Sequence, residues 1–318
     1  MTMTTTTDTG LPPILPPILI TGADGMLGRA LAAAVRQAGH GAAPLLAPGK
    51  PQLDVSDPQQ LKRLQGEFAG GWIFHCAALV NVEGCAMHPE LARKIIVDGT
   101  QHVIDFAGAT GSKIFYPQSF LTYGDCETDI PEGHVQAPLS LYGELKLEAQ
   151  RLIQAQCPDS LVVIMAGFFG GEEKDKNFVG KIIPGICQAI KNGDQTFAVG
   201  DRVWQPTWTN DLARASLELM RAGKRGTYQM ACTGEASFFE LTQEIVRHLG
   251  LDQRIDIVRT SVGAVTQNEL GRRPQRAVLS CQRLRDEGHA PLNDWRASLA
   301  AYLDQPFFNQ YRIQQEAK

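Results

Sequence analysis

The first half of the chain alternates short, continuously apolar runs with longer stretches in which apolar residues recur every three or four positions. Pro17-Ile18-Leu19-Ile20-Thr21 is the first run. An Ala-rich helix over 29–39 follows and stops at Gly39, a residue suited to the left-handed turn after a helix. Gly41–Leu46 reads as the second strand, and Trp72–Ala77, Lys113–Pro117 and Leu161–Met165 as further ones. Ser56-Asp57-Pro58-Gln59 opens a helix with Ser56 as its cap and Gln59 three residues on. Residues 90–108 make another helix, and the segment holding Tyr142 and Lys146 makes one that runs to about Gln156. Strands apolar at every position are buried on both faces, as in parallel sheets. The alternation predicts an α/β fold, a doubly wound parallel sheet.

Beyond residue 166 the pattern loosens. FFGGEEKDKNF is polar and glycine-rich, and reads as a substrate loop. Helices are expected at 179–191 and at 210–222, the latter capped by Asn210. Ser237 and Glu240 form a capping box for a helix ending at Gly250, and Asn293 is expected to cap a final helix, DWRASLAAYL. The expected organisation is a disordered leader over 1–16, a sheet domain over 17–166, and a smaller α/β lobe over 167–318. The segment 200–222 is expected to return to the first domain.

The turn GADGMLG joins the first strand directly to the first helix, the context a dinucleotide fingerprint requires. Gly22 permits a sharp turn, Gly25 lets backbone amides approach a pyrophosphate, and Gly28 lets helix and strand pack closely. The helix N-terminus adds free N–H groups and a positive dipole end. Residues 17–166 therefore read as an NAD(P)-binding Rossmann domain, with Gly22, Asp24, Gly25, Met26, Leu27 and Gly28 against the cofactor. Asp54 and Val55, and Ala77 and Ala78 after the Trp72 strand, are also expected there. No Asp or Glu follows the second strand; Ala47, Pro48, Gly49 and Lys50 do. That leans towards NADPH and leaves NADH open.

Tyr142 and Lys146 are four residues apart on a helical segment, so both project from one face. Ser119 ends the apolar run 23 residues before Tyr142. Ligands of doubly wound sheets bind beyond the carboxyl ends of the strands, where Gly22–Gly28, Ala77–Asn81 and Ser119 all fall.

Charge and composition narrow the class. A net charge of −4 gives no electrostatic footprint for nucleic acid or an anionic membrane. The seven cysteines never occur as C-x-x-C, which fits a reducing cytoplasm and argues against a disulfide framework or a zinc site. The N-terminus has no basic region followed by a long apolar core, so no signal peptide is expected.

Several motifs match one family together. GADGMLG, the Ala-Ala after the Trp72 strand, Ser119 four residues before Tyr123-Gly124, and Tyr142-x-x-x-Lys146 resemble an extended short-chain dehydrogenase/reductase. Asn177-Phe178-Val179, Asp201…Pro206-Thr207…Asp211-Leu212-Ala213 and Arg272-Arg273-Pro274…Leu279 resemble its dTDP-4-dehydrorhamnose reductase branch, of sugar nucleotide-binding proteins. The resemblance implies an NAD(P)H-dependent reductase of a 4-keto nucleotide sugar. In it Tyr142 protonates the substrate oxygen, Ser119 hydrogen-bonds the same oxygen, and Lys146 holds the nicotinamide ribose and lowers the tyrosine pKa. One ammonium at ~4 Å, with an effective dielectric near 20, supplies the roughly 4 kcal/mol that such a lowering to ~7 requires. Asn81, Phe168, Asn177, Phe178, Trp204, Arg272 and Arg273 are implied on the substrate side, the two arginines as a diphosphate clamp.

Departures from the family pattern lie mainly in the substrate half. Met165-Ala166-Gly167-Phe168 stands where the branch carries Arg and Trp, and Ala30 stands where metal-binding members carry Glu, so no metal is expected. A non-catalytic dinucleotide-binding regulator, like the β subunit of methionine adenosyltransferase, and a nucleotide-sugar epimerase are the alternatives. A homodimer is left open. His75 is expected to be a satisfied core histidine.

Overall fold

The computed structural model describes residues 15–39, 43–261, 263 and 269–312. Five apolar runs become strands β1 (Ile18–Thr21), β2 (Leu45–Leu46), β3 (Trp72–His75), β4 (Lys113–Ser119) and β5 (Leu161–Met165). A sixth strand, Gly226–Met230, joins them in the order Gly226–Met230, β5, β4, β3, β1, β2, with every pairing parallel. β1 and β5 are buried at every position, as the continuous apolar runs require. The chain winds outward from β1 in both directions, so the topological switch point of the sheet lies between β1 and β3.

Helices α1 (Met26–Gln37), α2 (Pro58–Leu64), α3 (Val82–Met87), α4 (Pro89–Arg93), α5 (Gly99–Thr110) and α6 (Leu141–Gln156) connect these strands. The helix expected at 90–108 is not continuous. A π-helical stretch, Lys94–Asp98, separates α4 from α5, and Gly99 presses on Val55, where a Cβ would lie 2.8 Å from a Val55 methyl. Of the expected second strand only Leu45–Leu46 is paired, and Gly41 and Ala42 lie outside the described residues.

Two caps move by one residue. Asp57 rather than Ser56 caps α2, accepting from the Gln59 N–H at 3.0 Å, because Pro58 fixes the first helical position and carries no N–H. Asp294 caps the last helix, Trp295–Leu303, whereas Asn293 donates to Asp211 Oδ1 at 3.2 Å. The capping box of Ser237 and Glu240 is present and opens α9 (Phe238–Leu249).

The second half contributes to two places. Helix α8 (Thr209–Arg221), which starts at Thr209 with no side-chain cap from Asn210, packs on α1, and the strand after it completes the main sheet. Helix α7 (Phe178–Asn192), α9 and the parallel pair Thr196–Gly200 with Asp256–Thr260 pack on one another as a smaller unit. No helix among the described residues is long and apolar enough to cross a membrane.

Candidate active site

The glycine turn forms a cradle without side chains. Gly22 has φ +65°, and a Cβ there would lie 2.8 Å from the Cα and N of Ala77, so the turn after β1 touches the loop after β3. A Cβ on Gly28 would lie 2.5 Å from the Gly22 carbonyl and 2.8 Å from Ala23 Cα. Gly25 is the cap of α1, whose first turn holds no acidic residue. Open N–H groups and an unopposed dipole fit a pyrophosphate. Leu27 is buried behind the turn, and Met26 meets Gly171 of the loop after β5. Ala77 donates its N–H to Thr21 Oγ1 at 3.2 Å, and Ala78 is half-buried beside it.

Asp54 lies at the edge of this region. Its Oδ1 accepts from the Ser56 N–H at 2.9 Å. Burial pushes its carboxyl up, but the hydrogen bonds from Ser56 and the charges of Lys50 and Lys94 outweigh that and hold it below its ordinary value. Val55 is buried and accepts from His102 Nδ1 at 2.8 Å. His75 is bonded on both ring nitrogens, by Thr21 at 2.9 Å and Thr100 at 3.1 Å, and burial drives its pKa down to about 3. It is a neutral core residue.

The reacting side chains meet where α6 begins. Ser140 caps the helix, and Gly143 lets it press against the Leu121 carbonyl, so Tyr142 faces the end of β4. The hydroxyl of Ser119, the last residue of that strand, accepts from the Leu121 N–H at 3.1 Å and stands against the Tyr142 phenol, whose pKa it pulls down. Tyr142 and Lys146 are 7% and 4% exposed.

The geometry gives the Lys146 charge two partners that helical spacing does not show. The ammonium donates to the Pro117 carbonyl at 2.8 Å and lies 3.8 Å above the Tyr116 ring. Burial pushes the Tyr142 phenol up from its ordinary value, and only the Ser119 hydrogen bond opposes this. Burial also lowers Lys146 to about 7. Spacing along the helix put the two side chains on one face, but the partners on β4 decide where the ammonium points.

Gln118, not anticipated from the sequence, ties this assembly together. Its amide donates to the Lys146 carbonyl at 2.9 Å and to Gln150 at 2.8 Å, while its oxygen accepts from the Ser119 N–H at 2.8 Å. A glutamine inside an otherwise apolar strand was the available signal.

The substrate-side residues divide into three groups. Phe178 stacks on Phe238 with ring centroids 4.0 Å apart, and Trp204 meets Phe238 edge-on at 4.9 Å and Phe120 at 4.6 Å. Asn177 donates to the Phe168 carbonyl at 2.7 Å, and Asn81 caps α3 by accepting from the Gly84 N–H at 2.9 Å. Arg273 pairs with Glu83 of α3 at 2.7 Å and with Glu269 at 3.5 Å, and Glu269 pairs in turn with the buried Arg202 at 3.0 Å. Arg272 is exposed and makes no ion pair among the described residues.

A glycine cradle at the switch point of a parallel sheet, with Ser119 at the end of β4 and Tyr142 and Lys146 on α6 beside it, defines a Rossmann-type protein of the extended short-chain dehydrogenase/reductase class. The chain belongs to the RmlD substrate-binding domain family, whose model matches residues 17–307. It is 30% identical over 289 residues to a probable dTDP-4,6-dihydroxy-2-methyloxan-3-one 4-ketoreductase of Streptomyces antibioticus, covering 88% of this chain and 92% of the relative. It is 30% identical over 287 residues to a dTDP-4-dehydrorhamnose reductase of Mycolicibacterium smegmatis, covering 89% and 83%. Among solved structures, a dTDP-4-dehydrorhamnose reductase of Clostridium acetobutylicum superposes with a TM-score of 0.81 at 26% identity, covering 91% of this chain and 98% of that one.

Proposed function

We propose that the protein is a cytoplasmic NADPH-dependent reductase of a 4-keto nucleotide sugar, of the dTDP-4-dehydro-6-deoxyhexose class, with NADH as the alternative reductant. Ser119 at the end of β4 against Tyr142 on α6, with Lys146 one turn further along the same helix, carries the reading. The reduced nicotinamide supplies a hydride when bound. Tyr142 gives its phenolic proton to the carbonyl oxygen, which leaves an alcohol. A phenol holds its proton at neutral pH, the state a donor needs. Ser119 hydrogen-bonds the same oxygen, and Lys146 binds ribose hydroxyls of the cofactor. Arg272 and Arg273 serve the diphosphate of the substrate, with Arg273 exchanging Glu83 for phosphate oxygens. Seven free cysteines fit a reducing compartment.

The test is a panel of dTDP- and UDP-linked 4-keto sugars, followed by the near-ultraviolet absorbance of NADPH and NADH. Stoichiometric oxidation with one sugar supports a reductase. Sugar conversion without net oxidation points to an epimerase. No conversion, together with co-purification of a catalytic partner, would replace the reading with the regulatory one.

A further inference from the structure

The sequence places no carboxylate after the second strand, the site from which Rossmann folds read the 2′-hydroxyl of the adenosine ribose. The fold brings one there from another segment. The carboxylate of Asp24, in the glycine turn, lies against Gly49, three residues beyond β2, so closely that a Cβ on Gly49 would overlap it. The two loops are tied by the Ala23 N–H, which donates to the Pro48 carbonyl at 3.4 Å. The Gly49 carbonyl accepts from the N–H groups of Gln52 and Leu53, both at 3.0 Å, which holds the second loop in shape. Gly49 is buried, Asp24 is exposed, and Asp24 makes no ion pair among the described residues.

We propose that Asp24 reads the 2′ substituent of the adenosine ribose: its carboxylate accepts from a 2′-hydroxyl and repels a 2′-phosphate. The proposal rests on the protein binding a dinucleotide at the glycine cradle. Asp24 sets the ratio of affinities for the two dinucleotides, whichever of them the reaction uses. Gly49 is part of the device, because any side chain there would displace the carboxylate. A phosphate monoester carries roughly 1.5 to 2 negative charges near neutral pH. Against one carboxylate at about 5 Å in largely aqueous surroundings, that charge weakens binding about tenfold.

The experiment is titration calorimetry of NADPH and NADH on the wild-type protein, Asp24→Asn and Asp24→Ser, at low and high salt. With Asp24→Asn, NADPH is expected to bind about tenfold tighter, and the gain to fade as salt rises. NADH is expected to change by less than about threefold, because the amide oxygen still accepts from the 2′-hydroxyl. Asp24→Ser, also neutral, is expected to give the same gain for NADPH. An NADPH-to-NADH affinity ratio equal in the wild type and both variants would overturn the role of Asp24 and leave dinucleotide binding at the cradle standing. A wild-type protein that binds neither dinucleotide would overturn that binding itself.

Discussion

The buried ammonium of Lys146 donates to the backbone carbonyl of Pro117 at 2.8 Å, across from its own helix to strand β4. This bond and the Tyr116 ring below it compensate only part of the lost hydration, so burial lowers the Lys146 pKa to about 7. Between pH 7 and the ordinary lysine value, the unfolded chain binds a proton that the folded chain does not. Stability from this group therefore rises with pH across that window and is lowest below it. Relative to Lys146→Met, which has no such slope, the wild-type protein should gain up to a few kcal/mol between about pH 7 and pH 10. Urea unfolding of both proteins at the two pH values checks this; a stability difference that does not move with pH would refute it.

Tyr142→Phe removes the phenolic hydroxyl that stands against Ser119 and leaves the packed ring in place. Turnover of a keto-sugar substrate should fall by about 10²–10⁴-fold, while NADPH affinity and melting temperature stay near the wild-type values. Turnover at the wild-type rate would remove Tyr142 from the chemistry.

Gly28→Ala puts a Cβ 2.5 Å from the Gly22 carbonyl and 2.8 Å from Ala23 Cα, both parts of the backbone and neither able to swing aside. The glycine turn must shift, at a cost of about 1–3 kcal/mol. Dinucleotide affinity should fall by at least about tenfold, because the displaced amides are those that face the pyrophosphate. Calorimetry and a urea denaturation curve on the same variant separate the two losses.

Arg273→Ala deletes the side chain that joins the C-terminal half to Glu83 of α3. The KM for a nucleotide sugar should rise by about tenfold or more, with the NADPH dissociation constant unchanged. Arg273→Lys should recover little of this, since a point charge cannot bind two phosphate oxygens in one plane. A KM that stays constant in both variants would leave Arg273 as a structural ion-pair residue.

Local chemistry makes much of the architecture legible in the sequence. Strand Leu161–Met165 and the end of the Tyr142 helix at Gln156 fall where expected, because a continuous apolar run and a 3.6-residue period are properties of the segment itself. The capping box at Ser237 is equally local. The caps at Asp57 and Asp294 differ from expectation by one residue, because Pro58 fixes where α2 starts and the fold uses Asn293 to reach Asp211.

The site is legible only in part, for the same reason. By itself the sequence determined the glycine cradle, the place of Ser119 at a strand end and the shared helix face of Tyr142 and Lys146, all of which follow from residue type and spacing. Only the tertiary structure decided that Lys146 donates to the Pro117 carbonyl, that Arg273 is held by Glu83, and that the carboxylate beyond β2 comes from Asp24. Each joins residues from different elements, and the pairing is set by how those elements pack, which spacing along one chain does not encode.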